Sequence, residues 1–309
     1  MLELGFVSAI LAEKSFEEVI DFAAKEKFSC VEIMCWPKGK AERRYAGVTH
    51  IDVANLDEKN VQHIKNYQRE KKVYVSGLGF YPNPLDPDEK VAENALTHIM
   101  EVIDGAEKLG ISVVNTFIGR NHSLNVSDNL MLFEERFPQI IHHASSKGIK
   151  IAIENCPMLF TDDEWPGGKN LAISPAIWDK MFTIIPDANF GLNYDPSHLV
   201  WMQMDPVQPI YDYKERLHHI HLKDVKVYQE KLNRVGILAN PLEYHSPKIP
   251  GLGDVPWGRF FAALTDVGYR GPCCIEVEDK AYEKSEADVN MAILTSRNYL
   301  RQYIPFRES

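Results

Sequence analysis

The chain has 309 residues, with 34 Lys and Arg against 44 Asp and Glu, and a formal net charge of -10 at pH 7. This acidic balance argues against nucleic-acid binding, which needs concentrated Lys and Arg, and the length suits one α/β barrel better than two full-sized domains. No apolar stretch is long enough for a membrane span, and residues 1–16 lack the features of a signal peptide. Five cysteines without a CxxC pair give no sign of a disulfide framework. We therefore expect a cytoplasmic protein.

Eight short apolar runs are predicted to be strands, and most of them read as continuous hydrophobic segments, typical of parallel strands that are buried on both faces. They are Leu4–Ile10, Cys30–Cys35, Val73–Phe80, Ser112–Ile118, Lys150–Asn155, Phe190–Tyr194, His218–Leu222 and Cys273–Val277. Amphipathic stretches alternate with them, so the sequence predicts a single (β/α)8 TIM barrel over residues 1–309. A doubly wound open sheet is disfavoured, because no Gly-rich phosphate-binding turn follows an early strand.

The intervening helices carry signals at their ends. Ser15 and Glu18 form a capping box that opens a predicted helix over Phe16–Lys27. Ser174, followed by a proline, is predicted to cap the helix Ala176–Ile184. The other predicted helices are Asp86–Leu109, Asn129–Lys147, Ile210–Arg216, Trp257–Val267 and Ser285–Tyr303.

Two connections between these elements are long: Trp36–Asp57 after the second strand and Asp224–Pro256 after the seventh. Long loops that follow barrel strands usually shape the active site, so we expect both to form walls around a substrate. Five aromatic side chains are candidates for contact with a sugar face, although each taken alone is better explained by ordinary packing. They are Trp36, Tyr45, Phe80, Tyr81 and Trp201.

Polar residues end four successive predicted strands. Glu154 ends the fifth strand, Asp195 the sixth, His221 the seventh and Glu276 the eighth. Each alone has a structural explanation, such as a surface ion pair or a turn cap, but four at neighbouring strand ends converge on one barrel mouth. Such a cluster repels itself unless a cation neutralises it, so we predict one divalent metal ion held by these four residues. The oxygen-rich ligand set favours Mn²⁺, with Mg²⁺, Co²⁺ and Zn²⁺ as alternatives.

Further polar residues are expected near the same mouth. His198, three residues beyond Asp195, is predicted to bind a substrate hydroxyl, with completion of the metal shell as the alternative. Lys223 is a candidate substrate ligand, and Asp224 is a candidate for contacts with the substrate or the metal ligands. His122 follows the fourth strand and is a weaker candidate for substrate contact. Glu32, inside the second strand, is expected to support the pocket.

Six short motifs lie in the C-terminal half: Ile-Glu-Asn at 153–155, Asp-Pro-Ser-His at 195–198, His-Leu-Lys-Asp at 221–224, Gly-Leu-Gly-Asp at 251–254, Gly-Tyr-Arg-Gly at 268–271 and Ile-Glu-Val-Glu at 275–278. In these motifs and in its eight predicted βα units the chain resembles the xylose-isomerase-like TIM-barrel superfamily. That superfamily comprises sugar isomerases and epimerases, including ketose 3-epimerases, together with inosose dehydratases and DNA repair enzymes of the endonuclease IV type. The acidic charge disfavours the last group.

The resemblance implies one ion held by the positions matching Glu154, Asp195, His221 and Glu276. In the ketose 3-epimerases, the positions matching Glu154 and Glu276 also act as acid and base on opposite faces of the substrate. Those epimerases place an arginine a few residues after the seventh-strand histidine. Here Val227 stands near that point, which weakens a ketose 3-epimerase assignment and leaves Lys223 and Lys226 as candidate replacements.

The leading hypothesis is an isomerase or epimerase that abstracts a proton next to the carbonyl of a sugar or keto-sugar, through a metal-stabilised enediolate. One of Glu154 and Glu276 removes the proton and the other returns it on the opposite face. Expulsion of a β-hydroxyl or alkoxide from the same intermediate makes a lyase of the inosose dehydratase type the alternative. A non-catalytic sugar-binding barrel is the second alternative, and a homo-oligomer is left open.

Overall fold

The computed structural model describes residues 1–39, 46–159 and 165–305. Its central feature is a closed barrel of eight parallel strands, built from all eight predicted segments with ends that differ by a few residues. The barrel strands are β1 (Glu3–Val7), β2 (Cys30–Met34), β3 (Tyr74–Gly79), β4 (Val113–Thr116), β5 (Lys150–Glu154), β6 (Phe190–Tyr194), β7 (Leu217–Leu222) and β10 (Pro272–Ile275). Their order around the barrel is β1-β10-β7-β6-β5-β4-β3-β2, so the predicted (β/α)8 architecture is confirmed.

Helices pack around the barrel and cover the outward faces of its strands. They are α1 (Phe16–Lys25), α2 (Glu58–Lys71), α3 (Glu89–Leu109), α4 (Val126–Ser146), α5 (Pro175–Ile184), α6 (Pro196–Trp201), α7 (Gln208–Asp212), α8 (Gln229–Val235), α9 (Trp257–Asp266) and α10 (Glu286–Leu300). Because the strands are covered outside and filled inside, β2, β4, β6 and β7 are buried along their whole length. Within the described ranges, no helix combines the length and the apolar character that crossing a membrane requires.

The two predicted helix starts differ in outcome. The capping box of α1 is present: the Ser15 hydroxyl accepts from the Glu18 backbone N–H, and the Glu18 carboxylate accepts from the Ser15 N–H. Ser174 occupies the cap position of α5, but among the described residues its side chain makes no capping hydrogen bond. The proline at the first turn of α5 needs no N–H partner and has a backbone already suited to the helix, which is enough to start it there.

The long connection after β7 contains structure that the sequence did not predict. Asp224–Val227 (β8) and His245–Lys248 (β9) form an antiparallel hairpin outside the barrel, with α8 between them. The Asp224 carboxylate anchors this segment, accepting from the backbone N–H groups of Gly251 and Val255 and from the Trp257 indole. A Cβ on Gly253 would lie 2.2 Å from Asp224 Oδ1, so only glycine permits this approach. Asp224 is therefore a structural anchor of this connection, whose expected role as a substrate wall stays a prediction.

Candidate metal centre

The barrel brings the four predicted ligands to one mouth. Glu154 is the last residue of β5, Asp195 follows β6, His221 lies in β7 and Glu276 follows β10. His221 Nδ1 is 3.7 Å from Glu154 Oε1 and 3.5 Å from Glu276 Oε2. Asp195 joins the group from the β6 side, where its backbone N–H and C=O are both bound by the side chain of Asn155.

His198 lies between two of these carboxylates. Its Nε2 atom is 3.2 Å from Asp195 Oδ2 and 3.6 Å from Glu154 Oε1. Asp195 caps α6 with Oδ1, which accepts from the Ser197 N–H, and so its Oδ2 atom remains turned towards His198. The short helix α6, absent from the sequence prediction, thus fixes the relative positions of Asp195 and His198.

Four atoms at this mouth are buried and receive no hydrogen bond of acceptable geometry from the parts of the chain that the structure describes: Glu154 Oε1, Asp195 Oδ2, His198 Nε2 and His221 Nδ1. Buried polar atoms without partners are rare and costly in folded proteins. Carboxylate oxygens and imidazole nitrogens are the donors that a divalent cation prefers. The residues present therefore fit a metal ion, and the structure contains a candidate metal-binding cluster.

Lys223 partly neutralises the carboxylates. Its buried ammonium is 2.7 Å from Glu276 Oε2, 3.1 Å from Asp195 Oδ2 and 3.1 Å from Glu278 Oε2. Burial alone would lower the pKa of Lys223, but the surrounding carboxylates raise it well above its ordinary value. Burial would likewise raise the pKa of Glu276, whereas the charges of Lys223 and His221 lower it to about 2. Glu276 is therefore ionised at neutral pH.

A fully buried carboxylate orients His221 from below. Glu32, on β2, lies with Oε2 2.7 Å from His221 Nε2, which turns Nδ1 towards Glu154 and Glu276. The Tyr81 hydroxyl donates to the other Glu32 oxygen. Burial would lower the pKa of His221, but Glu32 and Glu276 raise it well above its ordinary value. A carboxylate behind a histidine ligand fixes the tautomer and the ring orientation, so Glu32 fits the supporting role that the sequence indicated.

Next to the cluster lies a cavity of about 660 Å³ that has both polar and apolar lining residues. Its polar lining includes Glu154, Lys223 and Glu276, and its aromatic lining includes Trp36 and Tyr81. Phe117, Cys156 and Glu278 are among the lining residues that the sequence reasoning missed. A signal was available for two of them, because Cys156 and Glu278 each lie two positions beyond a predicted ligand, and alternate residues of an extended segment point the same way.

Other predicted contacts lie elsewhere. His122 is exposed, and it is not among the described residues that line this cavity. Phe80 packs edge-on behind Trp36, and Trp201 stacks on His245 with ring centroids 4.7 Å apart. Lys226 pairs with Asp254 at 2.6 Å on the surface, whereas Tyr45 falls outside the described residues.

Comparisons with known proteins agree with this architecture. A family model described as a xylose isomerase-like TIM barrel matches residues 20–302. An inosose dehydratase of Clostridium botulinum (strain Eklund 17B / Type B) is 22% identical over 275 residues, covering 85% of this chain and 87% of that protein. The crystal structure of a D-tagatose 3-epimerase-like protein has a TM-score of 0.69 at 20% identity, covering 98% of this chain and 97% of that one. The structure of the IOLI protein with a bound zinc atom has a TM-score of 0.73 at 14% identity, covering 99% and 100%. At these identities the two structures indicate a shared fold.

Proposed function

Since the chain belongs to the xylose isomerase-like TIM barrel family, we propose that it is a divalent-metal-dependent isomerase or epimerase of a sugar or keto-sugar. The observation that carries the proposal is the set of four buried ligand atoms that lack a well-formed hydrogen bond within the described residues, next to a cavity lined by Glu154. The names of the inosose dehydratase and of the D-tagatose 3-epimerase-like protein support a small polyhydroxylated ketone as the substrate.

Glu154, Asp195, His221 and Glu276 would hold the ion. When bound, the ion acts as a Lewis acid that polarises the substrate carbonyl. We propose Mn²⁺ as the native ion because three of the four ligands are carboxylates, which are hard donors. The zinc atom of the IOLI protein supports Zn²⁺ as the alternative.

We assign the base to Glu276 and the acid to Glu154. Lys223 and His221 lower the pKa of Glu276 to about 2, so its carboxylate is in the ionised form that a base next to the carbonyl needs, although the same charges weaken it as a base. Glu154 approaches from the end of β5, across the cluster from β10 in the strand order, and returns a proton from the other side. This division of roles accounts for two carboxylates at one reacting centre.

The cavity walls and the neighbouring polar groups would position the substrate. Trp36 and Tyr81 offer ring faces against the apolar side of a sugar. Lys223 would donate to a substrate oxygen, and His198, buried beside Glu154, would bind a hydroxyl. The contact of the exposed His122 with substrate stays a prediction.

A lyase of the inosose dehydratase type is the second candidate, favoured by the position of Lys223. After Glu276 removes the α-proton, the bond between the β-carbon and its hydroxyl breaks, and the departing oxygen needs a proton to leave as water. The Lys223 ammonium is 2.7 Å from Glu276 and lines the same cavity, so it can supply that proton. The inosose dehydratase relative supports this outcome.

Proton exchange in D₂O separates these reactions. Metal-loaded protein is incubated with a panel of keto-sugars and keto-inositols, and the products are analysed by NMR and mass spectrometry. We expect deuterium at the α-carbon of the substrate or its isomer; loss of water or of an aglycone would identify the lyase. Glu276→Gln should abolish the exchange, whereas Glu243→Gln, an exposed glutamate outside the cavity, should not. No exchange with any compound would refute the enzyme and favour a sugar-binding barrel.

We also propose that residues 1–309 act as one domain. Closure of the barrel pairs β1 with β10, so segments near both ends of the chain are needed to complete it. A cytoplasmic location and a homo-oligomeric state stay predictions.

A further inference from the structure

Candidate ligand atoms at the barrel mouth form two groups that share one glutamate. Glu154 Oε1 is 3.7 Å from His221 Nδ1 on one side and 3.6 Å from His198 Nε2 on the other. The first side is completed by Glu276. On the second side, ligand atoms of Glu154, Cys156 and His198 all lie within 4.8 Å of one another.

Two of the three ligands of the second side are buried, and the three ligand atoms lie close together. Glu154 is 3% and His198 6% exposed, and neither Glu154 Oε1 nor His198 Nε2 has a hydrogen-bond partner in the described chain. Cys156 is half-buried, and its Sγ accepts the backbone N–H of Met158 at 3.3 Å. Burial raises the pKa of the Cys156 thiol, so a bound cation would have to displace the thiol proton to form the thiolate that binds metals. The site thus offers one sulfur, one nitrogen and one oxygen.

Acidic side chains surround both groups of ligand atoms. Glu154, Asp195, Glu276 and Glu278 surround the mouth, and Lys223 is the ammonium that contacts all four. Asp195 Oδ2 lies 3.2 Å from His198 Nε2, so a second oxygen borders the Cys156 side. Carboxylate oxygens therefore border both groups of ligand atoms.

This inference rests on the metal centre of the proposed function and goes beyond it. We propose that Glu154, Cys156 and His198 form a second cation site, sharing Glu154 with the first and selective for thiophilic divalent ions such as Zn²⁺ and Co²⁺. When this site is filled, His198 binds the cation in place of a substrate hydroxyl. A thiolate and an imidazole bind these ions in preference to Mg²⁺ and Mn²⁺, whereas the carboxylate-rich first site accepts hard ions. The two sites would then differ in metal preference.

Trp201 contacts His198, and this contact should weaken cation binding at the second site. Its indole N–H approaches His198 Nδ1 at 3.4 Å, near the outer limit for a hydrogen bond. An indole only donates, so this contact favours the tautomer with the proton on Nε2, the atom that would bind the cation. Trp201→Phe keeps a ring against His245 and removes the donor, so this variant should bind the second ion more tightly.

A titration with Co²⁺, followed by ultraviolet and visible absorption, tests the proposal without any substrate. We expect two equivalents to bind, one of them with thiolate-to-cobalt charge-transfer absorption in the near ultraviolet. Zn²⁺ should displace this signal and Mg²⁺ should not. Cys156→Ala should lose the signal and one equivalent while keeping the other, which also shows that the variant is folded. Cys273→Ala, in which a fully buried cysteine of the core is removed, should keep both.

Histidine variants provide a second readout. His198→Ala should weaken the thiolate-bearing equivalent at least tenfold, whereas His63→Ala, an exposed histidine paired with Glu17, should leave it unchanged. One equivalent without thiolate absorption in the wild-type protein would overturn the second site and leave the first intact. No cobalt binding at all would overturn both the second site and the metal dependence of the proposed function.

Discussion

Replacing Glu32 by glutamine tests how the barrel interior controls the metal ligand above it. The Tyr81 hydroxyl accepts from the Asn193 amide and donates to Glu32, so in Glu32→Gln the oxygen of the new amide would face Tyr81. The amide NH₂ would then face His221 Nε2, which must accept, and the ring proton would move to Nδ1. That nitrogen is the one turned towards Glu154 and Glu276. The isosteric substitution Glu32→Gln would thus place a proton on His221 Nδ1, the atom that would bind the metal ion.

The expected loss follows from the 2.7 Å contact between Glu32 and His221. Removing the carboxylate behind a histidine ligand typically costs about 10–100-fold in metal affinity, or roughly 1.4–2.8 kcal/mol. We expect Glu32→Gln near the upper end, because the amide also imposes the wrong tautomer. Titration calorimetry with Mn²⁺ and Zn²⁺ measures the affinity directly, and Glu243→Gln is the matched control.

A double variant isolates the tautomer from the charge. In Tyr81→Phe with Glu32→Gln, no hydroxyl fixes the amide, so it can rotate and present its oxygen to His221 Nε2. We therefore expect the double variant to bind metal more tightly than Glu32→Gln alone. Wild-type affinity in Glu32→Gln, or a further loss in the double variant, would refute this account of the histidine.

Three further outcomes are expected. Glu276→Gln should lower kcat by at least about 100-fold, the usual worth of a general base, with little change in the protein's melting temperature; a smaller loss than that would remove Glu276 from the proton transfer. Metal affinity should fall as the pH is lowered, because the raised pKa of His221 keeps the ring protonated without metal and the ion must displace that proton. Calorimetry in buffers of different ionisation enthalpy would reveal the proton release. A metal affinity that does not depend on pH would contradict this prediction. Gly79→Ala should destabilise the protein by about 1–3 kcal/mol in urea unfolding, since its Cβ would lie 2.2 Å from Met34 Cε and 2.7 Å from Glu32 Oε1; an unchanged free energy of unfolding would show that both side chains move aside freely.

The barrel and its candidate ligands were predictable because their signals are local. Each strand is a short apolar run, and a charged residue at the end of such a run is conspicuous, as in Ile153-Glu154 or Ile275-Glu276. Because the strands of the barrel are parallel, all such ends lie at one mouth, and this follows without knowing which strands are adjacent. The four ligand candidates needed only strand identity and direction.

Other features had no local signal. Helix α2, from Glu58 to Lys71, buries only Val61 and Ile64, so its apolar periodicity is weak and it was not predicted. The β8–β9 hairpin is short, polar and interrupted by a proline, which resembles a loop in sequence. The contact between Glu32 and His221 joins residues 189 positions apart, and only closure of the barrel reveals it.

Lys223 explains how this acidic mouth can exist in a folded chain before any ion arrives. Unpaired buried carboxylates would cost several kcal/mol each, but the Lys223 ammonium contacts Asp195, Glu276 and Glu278, and the raised pKa of His221 adds a second positive charge. A bound divalent ion would replace the positive charge of the His221 imidazolium, because the ligand nitrogen must lose its proton to bind the ion. Lys223 would keep its charge and, lining the cavity, become available to a substrate oxygen. The residue that stabilises the metal-free mouth is thus also the one best placed to decide whether a departing hydroxyl receives a proton.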